Sequence, residues 1–561
     1  MAGGVERRWL SDLAPRPLPD EISSPHSPDS RGFRHARATR QPTDRMTGAL
    51  PVVAALVPHL AAAQEPAVAG SNAISQAIVA VLLGVLFVGL ALEAAHRVVI
   101  ALGTVAIIWL VTYVTPWPLI SFEETGAALD VNVLLLLGAM MAVVGVLKTT
   151  GVFEWAVAVL LRRARGQPLV VLTLIVWFTA LASAFLDNVT TVIFVTPMAL
   201  GIARQLTMRP QALILPMVMA SNIGGTATLI GDPPNIMIGS GANLSFLDFL
   251  ADLTTPCLIM VLWLLAYSRH YFREDFHPLA SGRQAQIAVP ALADPLLARW
   301  MGVICTGILA GFLTHHVTGM APAVPATIGA AAALIVQDRL YLRRLRPSTA
   351  ERIHGVLVVT ERDIEWPTLA FFGFLFIIVG AAVSTGLITR LAEWLQTGIS
   401  SGSAALGLSP AGTLLFAALL ICWTSGIMSA LIDNIPFVAV AIPIVARLAG
   451  QLPGDTTALW WALSLGACLG GNGSLIGASA NVTAIGLAER GGLRISFGAF
   501  TRFGGVVAFG TLVVASLFLA MFVHAGQRTT LIAGVLAFAL ILAGQRLKRS
   551  LFRGPATGPG T

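Results

Sequence analysis

The chain has 561 residues, of which 56% are hydrophobic and only 11% carry a charge. A soluble domain is usually about 25% charged, and a mean hydropathy of +0.80 excludes that class of protein. The formal net charge of +7 does not predict nucleic acid as a partner, because the basic residues lie between apolar runs.

Apolar runs recur from residue 76 to residue 546. Many approach the length of about 20 residues that crosses the hydrocarbon core of a bilayer. The sequence therefore predicts an all-α polytopic membrane protein with about 11–12 spans. Its predicted location is the cytoplasmic (inner) membrane, with the lipid bilayer as its main partner.

The N-terminal region differs from the rest of the chain. Residues 1–45 are rich in Arg, Pro, Ser and Asp, which predicts a disordered extension. Residues 46–65 have an arginine before them, an apolar core and small residues, which predicts a signal-peptide-like segment or short anchor. An apolar patch in an unstructured tail is the alternative. Translation is expected to begin at Met46.

Three predicted spans follow at about 76–94, 96–115 and 131–147. Loop 116–130 contains acidic residues and no Lys or Arg, whereas segment 148–167 is basic. The positive-inside rule therefore places the acidic loop outside and the basic segment in the cytoplasm. Glu93 and Arg97, at the boundary between the first two spans, are expected to be interfacial.

This orientation holds along the chain only if two segments turn back within the membrane. Residues 168–187 and 188–203 form one predicted hairpin that enters from the cytoplasm, and residues 409–447 form another that enters from outside. Residues 273–298 and 339–365 are predicted cytoplasmic loops. Residues 299–338 are predicted to form linking spans, and residues 530–546 are predicted to form an extra C-terminal span.

The chain also contains an internal repeat. FLDNVTTVIFVTP (185–197) corresponds to LIDNIPFVAVAIP (431–443), and GGTATLIGDPPN (224–235) corresponds to GGNGSLIGASAN (470–481), both at an offset of 246 residues. The two predicted membrane repeats, 76–272 and 366–524, have opposite orientations. Inverted repeats with interrupted helices are typical of secondary transporters, whose binding sites lie near the middle of the bilayer.

The glycine-rich segments predict broken helices within the membrane. Such backbone is tolerated only where it is buried in protein or lines a wet cavity, and its free carbonyl and amide groups can then bind an ion or small solute. Pro233 and Pro234 suit the start of a new helix. A kinked helix that packs through small residues is the alternative.

Asp187 and Asp433 lie in apolar surroundings at the two predicted hairpin turns. An acid at this depth costs roughly 2.5–3.5 kcal/mol on insertion scales, so a functional role is the default hypothesis. Away from water a carboxylate favours its neutral form unless a cation or donor compensates, so it can exchange H+ for Na+. Helix capping is the alternative role. Asp232 has no acidic counterpart, because Ala478 occupies the equivalent position.

The predicted ion- or substrate-binding residues form two sets. The first repeat supplies Ser183, Asp187, Asn188, Thr190, Gly224, Gly225, Thr226, Thr228, Asp232 and Asn235. The second supplies Ser429, Asp433, Asn434, Gly471, Asn472, Ser474, Ser479 and Asn481. No catalytic residue, cofactor or tightly bound metal is predicted, although transient Na+ suits these oxygen atoms.

These motifs, especially SNIGGTATLIGDPPNIMI and LGGNGSLIGASANV, resemble the ion transporter superfamily. The resemblance covers about residues 76–524. It is strongest to arsenite efflux permeases, NhaD-type sodium/proton antiporters and the melanosomal P protein, and more distant to citrate and dicarboxylate transporters. It implies a scaffold domain, a moving transport domain with an elevator-like motion, and a homodimer.

The dicarboxylate carriers of that group have Ser-Asn-Thr at the hairpin tips, where this chain has Asp187-Asn188-Val189 and Asp433-Asn434-Ile435. The added acids would repel a dianion. The predicted function is therefore that of a proton- or sodium-coupled secondary transporter. Efflux of arsenite or antimonite is the first candidate activity. Na+/H+ antiport and anion (citrate-like) transport are the alternatives, and a passive ion channel is an alternative of a different class.

An enzyme is not predicted, because the sequence has no Walker A motif and no His/Glu metal cluster within a span. A primary pump would require a separate ATPase subunit that docks on the cytoplasmic loops.

Overall fold

The computed structural model describes residues 72–164, 167–276, 289–345 and 361–551, and within these ranges the regular structure is helical. Nine of the described helices are long and apolar enough to cross a membrane, which confirms the predicted multi-pass class. The predictions for residues 1–65 lie outside the described residues.

The first half of the described chain contains ten α-helices. They are α1 Ala73–Ala91, α2 Arg97–Val114, α3 Phe122–Ala128, α4 Val131–Thr149, α5 Val152–Arg162, α6 Pro168–Ser183, α7 Asn188–Gln205, α8 Gln211–Thr226, α9 Pro233–Ala242 and α10 Phe246–Tyr271. A short 3-10 turn, Arg273–Asp275, follows α10.

The second half contains three linking helices, α11–α13, and the second repeat. The helices are α11 Pro295–Leu313, α12 His315–Thr318, α13 Ala323–Leu345, α14 Trp366–Ser384, α15 Leu387–Ala405, α16 Pro410–Leu431, α17 Asn434–Ala449, α18 Thr457–Gly470, α19 Ser479–Arg490 and α20 Phe497–Leu551. A 3-10 turn, Gly471–Gly473, separates α18 from α19.

Two helix boundaries differ from the predicted loops. Helix α11 begins at Pro295, inside predicted loop 273–298, and α13 continues to Leu345, inside predicted loop 339–365. Proline suits the first turn of a helix, and Arg and Leu are good helix formers. A map based on arginines therefore truncates helices that continue through basic residues.

Both predicted hairpins and both predicted breaks are present. Helices α6 and α7 meet at Asp187, and α16 and α17 meet at Asp433. Each aspartate caps the second helix of its hairpin: Asp187 accepts from the Thr190 backbone N–H at 3.2 Å, and Asp433 accepts from that of Ile435 at 3.4 Å. The capping role is therefore real at both turns.

The repeat is visible in the backbone itself. Gly151 (φ 72°, ψ 14°) begins α5 and Gly386 (φ 78°, ψ 8°) begins α15, so each repeat has a left-handed glycine at the same point. Asp232 and Ala478, which precede α9 and α19, have almost equal φ/ψ angles of −143°/132° and −151°/140°.

Contacts at the helix ends show that the repeats are inverted. At the start of α4, Asn132 accepts a hydrogen bond of 3.1 Å from the backbone of Ala323, where α13 begins. At the end of α4, Lys148 forms a 3.2 Å ion pair with Asp363, just before α14. Helix α14 therefore begins at the end of the molecule where α4 finishes.

The predicted extra span 530–546 belongs to α20. This helix breaks at Gly526 (φ 76°, ψ 167°), and the helical segments on both sides line one apolar cavity against α10. The C-terminal segment therefore returns along α10 as the second arm of a tight hairpin.

Candidate functional site

The two broken helices pack against the two hairpins in the same way. Thr228 donates to the carbonyl of Ala184 in hairpin α6–α7, and its repeat equivalent Ser474 donates to the carbonyl of Ala430 in hairpin α16–α17. The break in each repeat is therefore joined to the tip of its own hairpin by one hydroxyl.

An asparagine closes each break. The Asn235 amide donates to the carbonyls of Gly225, Thr226 and Thr228 at 2.9–3.2 Å. The equivalent Asn481 donates to the carbonyls of Gly471 and Ser474 at 2.8 and 2.9 Å. Carbonyls freed by the break are thus satisfied by side chains, as buried backbone requires.

Asn222, which was not among the predicted site residues, joins the two repeats. Its amide donates to Asn472 and Asn481 at 2.9 and 3.0 Å, and its oxygen accepts from Asn188 at 3.3 Å. Asn222 has no exposed surface. The only sequence signal was its place in the SNIGG motif, since its repeat equivalent is Cys468.

A small cavity of about 150 Å³ lies where the tips of the two hairpins meet. Its polar lining from the predicted set consists of Asp187, Asn188, Thr190, Asp232, Asn434 and Ser479. Its opposite wall comes from α4, with Leu137, Met140, Met141 and Val144. The side chains of both repeats therefore face one enclosed space beside an apolar helix.

Asp433 lies on a neighbouring, larger cavity. This second space has a volume of about 570 Å³ and reaches Glu93 and His96 in the turn between α1 and α2. Arg97, Ser479 and Thr483 line both cavities and form the wall between them. The two repeat-related aspartates therefore face different spaces, although the sequence predicted equivalent roles for them.

Several predicted residues lie outside the lining of either cavity and form contacts within the protein. Thr226 bonds to the carbonyl of Asn222, and Ser429 bonds to that of Ala467. Ser183 is fully buried, and its hydroxyl has no hydrogen-bond partner. The residues that pack or bond in this way are Ser183, Gly224, Gly225, Thr226, Thr228, Asn235, Ser429, Gly471, Asn472, Ser474 and Asn481.

Arg97 and Glu365 are cavity residues that the sequence did not predict. Arg97 donates to Thr368 at 2.7 Å and to Ser479 at 3.4 Å, and Thr368 donates to Glu365 at 2.8 Å. Arg97, which the sequence predicted to be interfacial, therefore also lines the cavity. The sequence predicts that Arg97 lies at the end of a helix. The direction of its long side chain depends on the packing of α2 against α14, which the sequence does not predict.

Metal binding was also tested on the geometry. In the ranges that the structure describes, no group of three or more His, Cys, Asp or Glu side chains is arranged to hold a metal ion. The three aspartates are instead separated between two cavities and linked to amides and hydroxyls.

A helical membrane protein with two inverted repeats and a polar site between its hairpin tips is a membrane transporter by its architecture. The sequence profile of the family described as "Citrate transporter" matches residues 87–466. The chain belongs to this family.

Similar proteins support that assignment, and the first has a transporter name. The chain is 37% identical over 439 residues to an uncharacterized transporter of Mycobacterium tuberculosis, and the alignment covers 77% of this chain and 95% of the relative. It is 30% identical over 585 residues to the human P protein, and that alignment covers 89% of this chain and 65% of the P protein. The assignment to the wider superfamily is confirmed, but no comparison confirms an arsenite permease or NhaD-type antiporter.

A solved structure has a similar fold. The YdaH transporter of Alcanivorax borkumensis, whose crystal structure is described as having an unusual topology, aligns with a TM-score of 0.51. The alignment covers 77% of this chain and 99% of that chain at 15% sequence identity. At this identity the likeness concerns the fold alone.

Proposed function

We propose that the protein is a secondary active transporter that couples a small solute to H+ or Na+ at the cavity between the hairpin tips. The observation that carries the proposal is the presence of Asp187 and Asp232 in one small space formed by both repeats. Buried carboxylates can hold a proton or a small cation and exchange one for the other.

The volume of the cavity limits the cargo. About 150 Å³ is below the range of about 300–1,000 Å³ that is usual for drug-sized ligands. It equals about five times the volume of one water molecule in the liquid. An inorganic ion with part of its hydration shell, or a small organic acid, fits this space.

The charge of the cavity favours a cation. Asp187, Asp232 and Glu365 line it, and Arg97 is the cation among the described lining residues. An excess of carboxylates attracts Na+ or H+ and repels free anions. Cation/proton exchange is therefore the activity that this geometry supports best.

Transport of a small carboxylate such as citrate is the second candidate. The family description and the position of Arg97 at the cavity wall both favour it, because arginine binds carboxylates well. The acidic residues then require that the anion enters together with protons or a bound cation. Arsenite efflux, the cargo favoured by the sequence, receives no support from the comparisons.

Inside-out vesicles with a pH-sensitive dye separate these activities. Na+ or Li+ should collapse a preformed pH gradient in the wild type if the protein exchanges cations for protons. Labelled citrate, offered with and without Mg2+, tests the carboxylate, and arsenite and antimonite test the neutral solutes. Ion currents far above carrier rates would instead indicate a channel and contradict the proposal.

Asp187→Asn should abolish coupled transport, because an amide cannot exchange a proton or pair with Na+. Asp252→Asn is the matched control, since Asp252 is also a buried acid but lies between α10 and α20, away from the site. Normal coupled transport in Asp187→Asn, or equal loss in both variants, would refute the assigned role of the cavity.

The homodimer implied by the family resemblance stays a prediction, and so does docking of a separate ATPase subunit. The mass of the purified protein in lipid nanodiscs shows whether it is a dimer. Copurification with ATPase activity would support docking of an ATPase subunit.

A further inference from the structure

The two repeat-related aspartates have different hydrogen-bonded neighbours. Ser479 donates to the Asp433 carboxylate at 3.0 Å and accepts from the Arg97 guanidinium at 3.4 Å, so one hydroxyl connects an anion to a cation. Arg97 and Asp433 also attract each other electrostatically. Asp433 therefore has a built-in counter-charge.

Asp187 has acidic neighbours instead. Its carboxylate is bonded to Thr190 of its own helix and is repelled by Glu365. Asp232, which is repelled by both Asp187 and Asp433, lines the small cavity together with Asp187. Neither of the ion pairs formed within the described ranges includes Asp187 or Asp433, so the difference between them lies in their hydrogen bonds and neighbours. The first half-site therefore has an excess of negative charge that an ion from solution can neutralise.

Two adjacent residues in the sequence explain this difference. Asp232-Pro233 in the first repeat corresponds to Ala478-Ser479 in the second, with nearly the same backbone angles. Proline has no hydroxyl, so the first repeat cannot form the relay that Ser479 provides. It has an additional carboxylate at the position where the second repeat has only a methyl group.

Arg97 is also held in place from its own side. Thr368 accepts from its guanidinium at 2.7 Å, and the ring of Phe371 lies 5.7 Å from its central carbon. Both residues belong to α14, which packs against α2. The guanidinium is therefore a fixed part of the wall rather than a side chain free in the cavity.

We infer that the two half-sites have divided roles, with Asp187 and Asp232 exchanging the coupling ion and Asp433 linked through Ser479 to the fixed positive charge of Arg97. The inference rests on the proposed function, because it names the carboxylates that act in it. An arginine side chain stays protonated in proteins, so a permanent positive charge lies one hydroxyl away from Asp433. H+ or Na+ can leave Asp187, and the coupling ion is bound in one half-site only.

Thermal unfolding of purified protein tests the pairing without any transported cargo. Arg97→Gln should lower the apparent unfolding temperature, because it leaves Asp433 without its counter-charge. Adding Asp433→Asn should restore part of that loss. The pair Arg97→Gln and Asp252→Asn is the control, since Asp252 lines the separate cavity between α10 and α20, and its effects should simply add.

Proton movement in vesicles tests the division of roles. Arg97→Gln alone should reduce the coupled proton flux, because it leaves a charge without its partner, and Arg97→Gln/Asp433→Asn should recover most of the flux. Asp187→Asn should abolish the flux, and Arg97→Gln should not rescue it. Ser479→Ala keeps both charges and gives a second cycle with Asp433→Asn if Arg97→Gln does not reach the membrane.

The outcomes separate the two claims. A wild type that moves no protons with any cargo overturns the proposed function. An active wild type whose Arg97 and Asp433 effects simply add overturns the division of roles, as does a double variant that stays inactive although it is stable. Non-additive stability together with recovered flux supports the inference.

Discussion

At the scale of single residues, an asparagine network joins the half-sites. Asn222 binds Asn188, Asn472 and Asn481, and each of these residues is buried. The repeat equivalent of Asn222, Cys468, lies 3.5 Å from Asn235 in a corresponding but weaker contact. Buried amides rigidify a structure when their partners are present and destabilise it when partners are lost.

Asn222→Ala should therefore lower the free energy of unfolding by about 1–3 kcal/mol, because it leaves buried amides of its partners without hydrogen bonds. Thr397→Ala is the control, since this exposed threonine bonds only within α15. Thermal unfolding in detergent measures both. A change as small as that of the control would show that water replaces the lost partners.

At the scale of helices, two glycines let the broken helices cross the hairpins closely. A Cβ added at Gly224 would lie 2.1 Å from the carbonyl oxygen of Ala180, and one at Gly470 would lie 2.3 Å from that of Gly426. These positions are equivalent in the repeats. The obstacle is backbone in both, so it cannot move aside as a flexible side chain can.

Gly470→Ala should reduce the amount of folded protein sharply, because α18 would have to move away from α16. Gly486→Ala is the matched control, since a Cβ there meets nothing within 4 Å and lies in helix α19. Alanine is favoured over glycine in a helix by about 0.5–1 kcal/mol, so this variant should be neutral or stabilised. Size-exclusion profiles and unfolding temperatures compare the two.

At the scale of the whole molecule, contacts join chain segments that the arginine map places on the same side. Arg209 forms a 2.7 Å ion pair with Asp275, whose hydrogen bond raises the pKa of the guanidinium. Gln76 donates to the carbonyl of Thr385 at 3.1 Å on the side predicted to face outward. The structure and the charge pattern therefore agree on which ends belong together.

Membrane-impermeant thiol labelling tests which end faces the cytoplasm. Cysteines placed at Glu274 and Glu361 should be protected in intact cells and should react in inside-out vesicles. A cysteine at Glu123, which is in the acidic loop before α4, should show the reverse pattern. Labelling of all three from the same side would refute the orientation.

Much of the fold was predictable because the bilayer restricts the solutions. Hydropathy predicted the spans, and the repeated motifs predicted both hairpins and both breaks. The site was predictable only in part. Asp187, Asp232 and Asn434 line the small cavity as the motif position suggested, but Asp433 faces a different space. Hydroxyls such as Thr228 and Ser474 bond to backbone where ion contacts were expected.

The sequence by itself determined the membrane class, the inverted repeat and the acids at the hairpin turns. Each follows from local rules. Burial in lipid requires long apolar helices, and an acidic residue within the membrane costs free energy, which makes a functional role the default hypothesis. Only the tertiary structure decided that Arg97 and Glu365 reach the site and that Asp187 and Asp433 have different neighbours. Those facts depend on how α2 and α14 pack together. These helices are distant in the chain, so no periodic pattern in the sequence predicts that they meet.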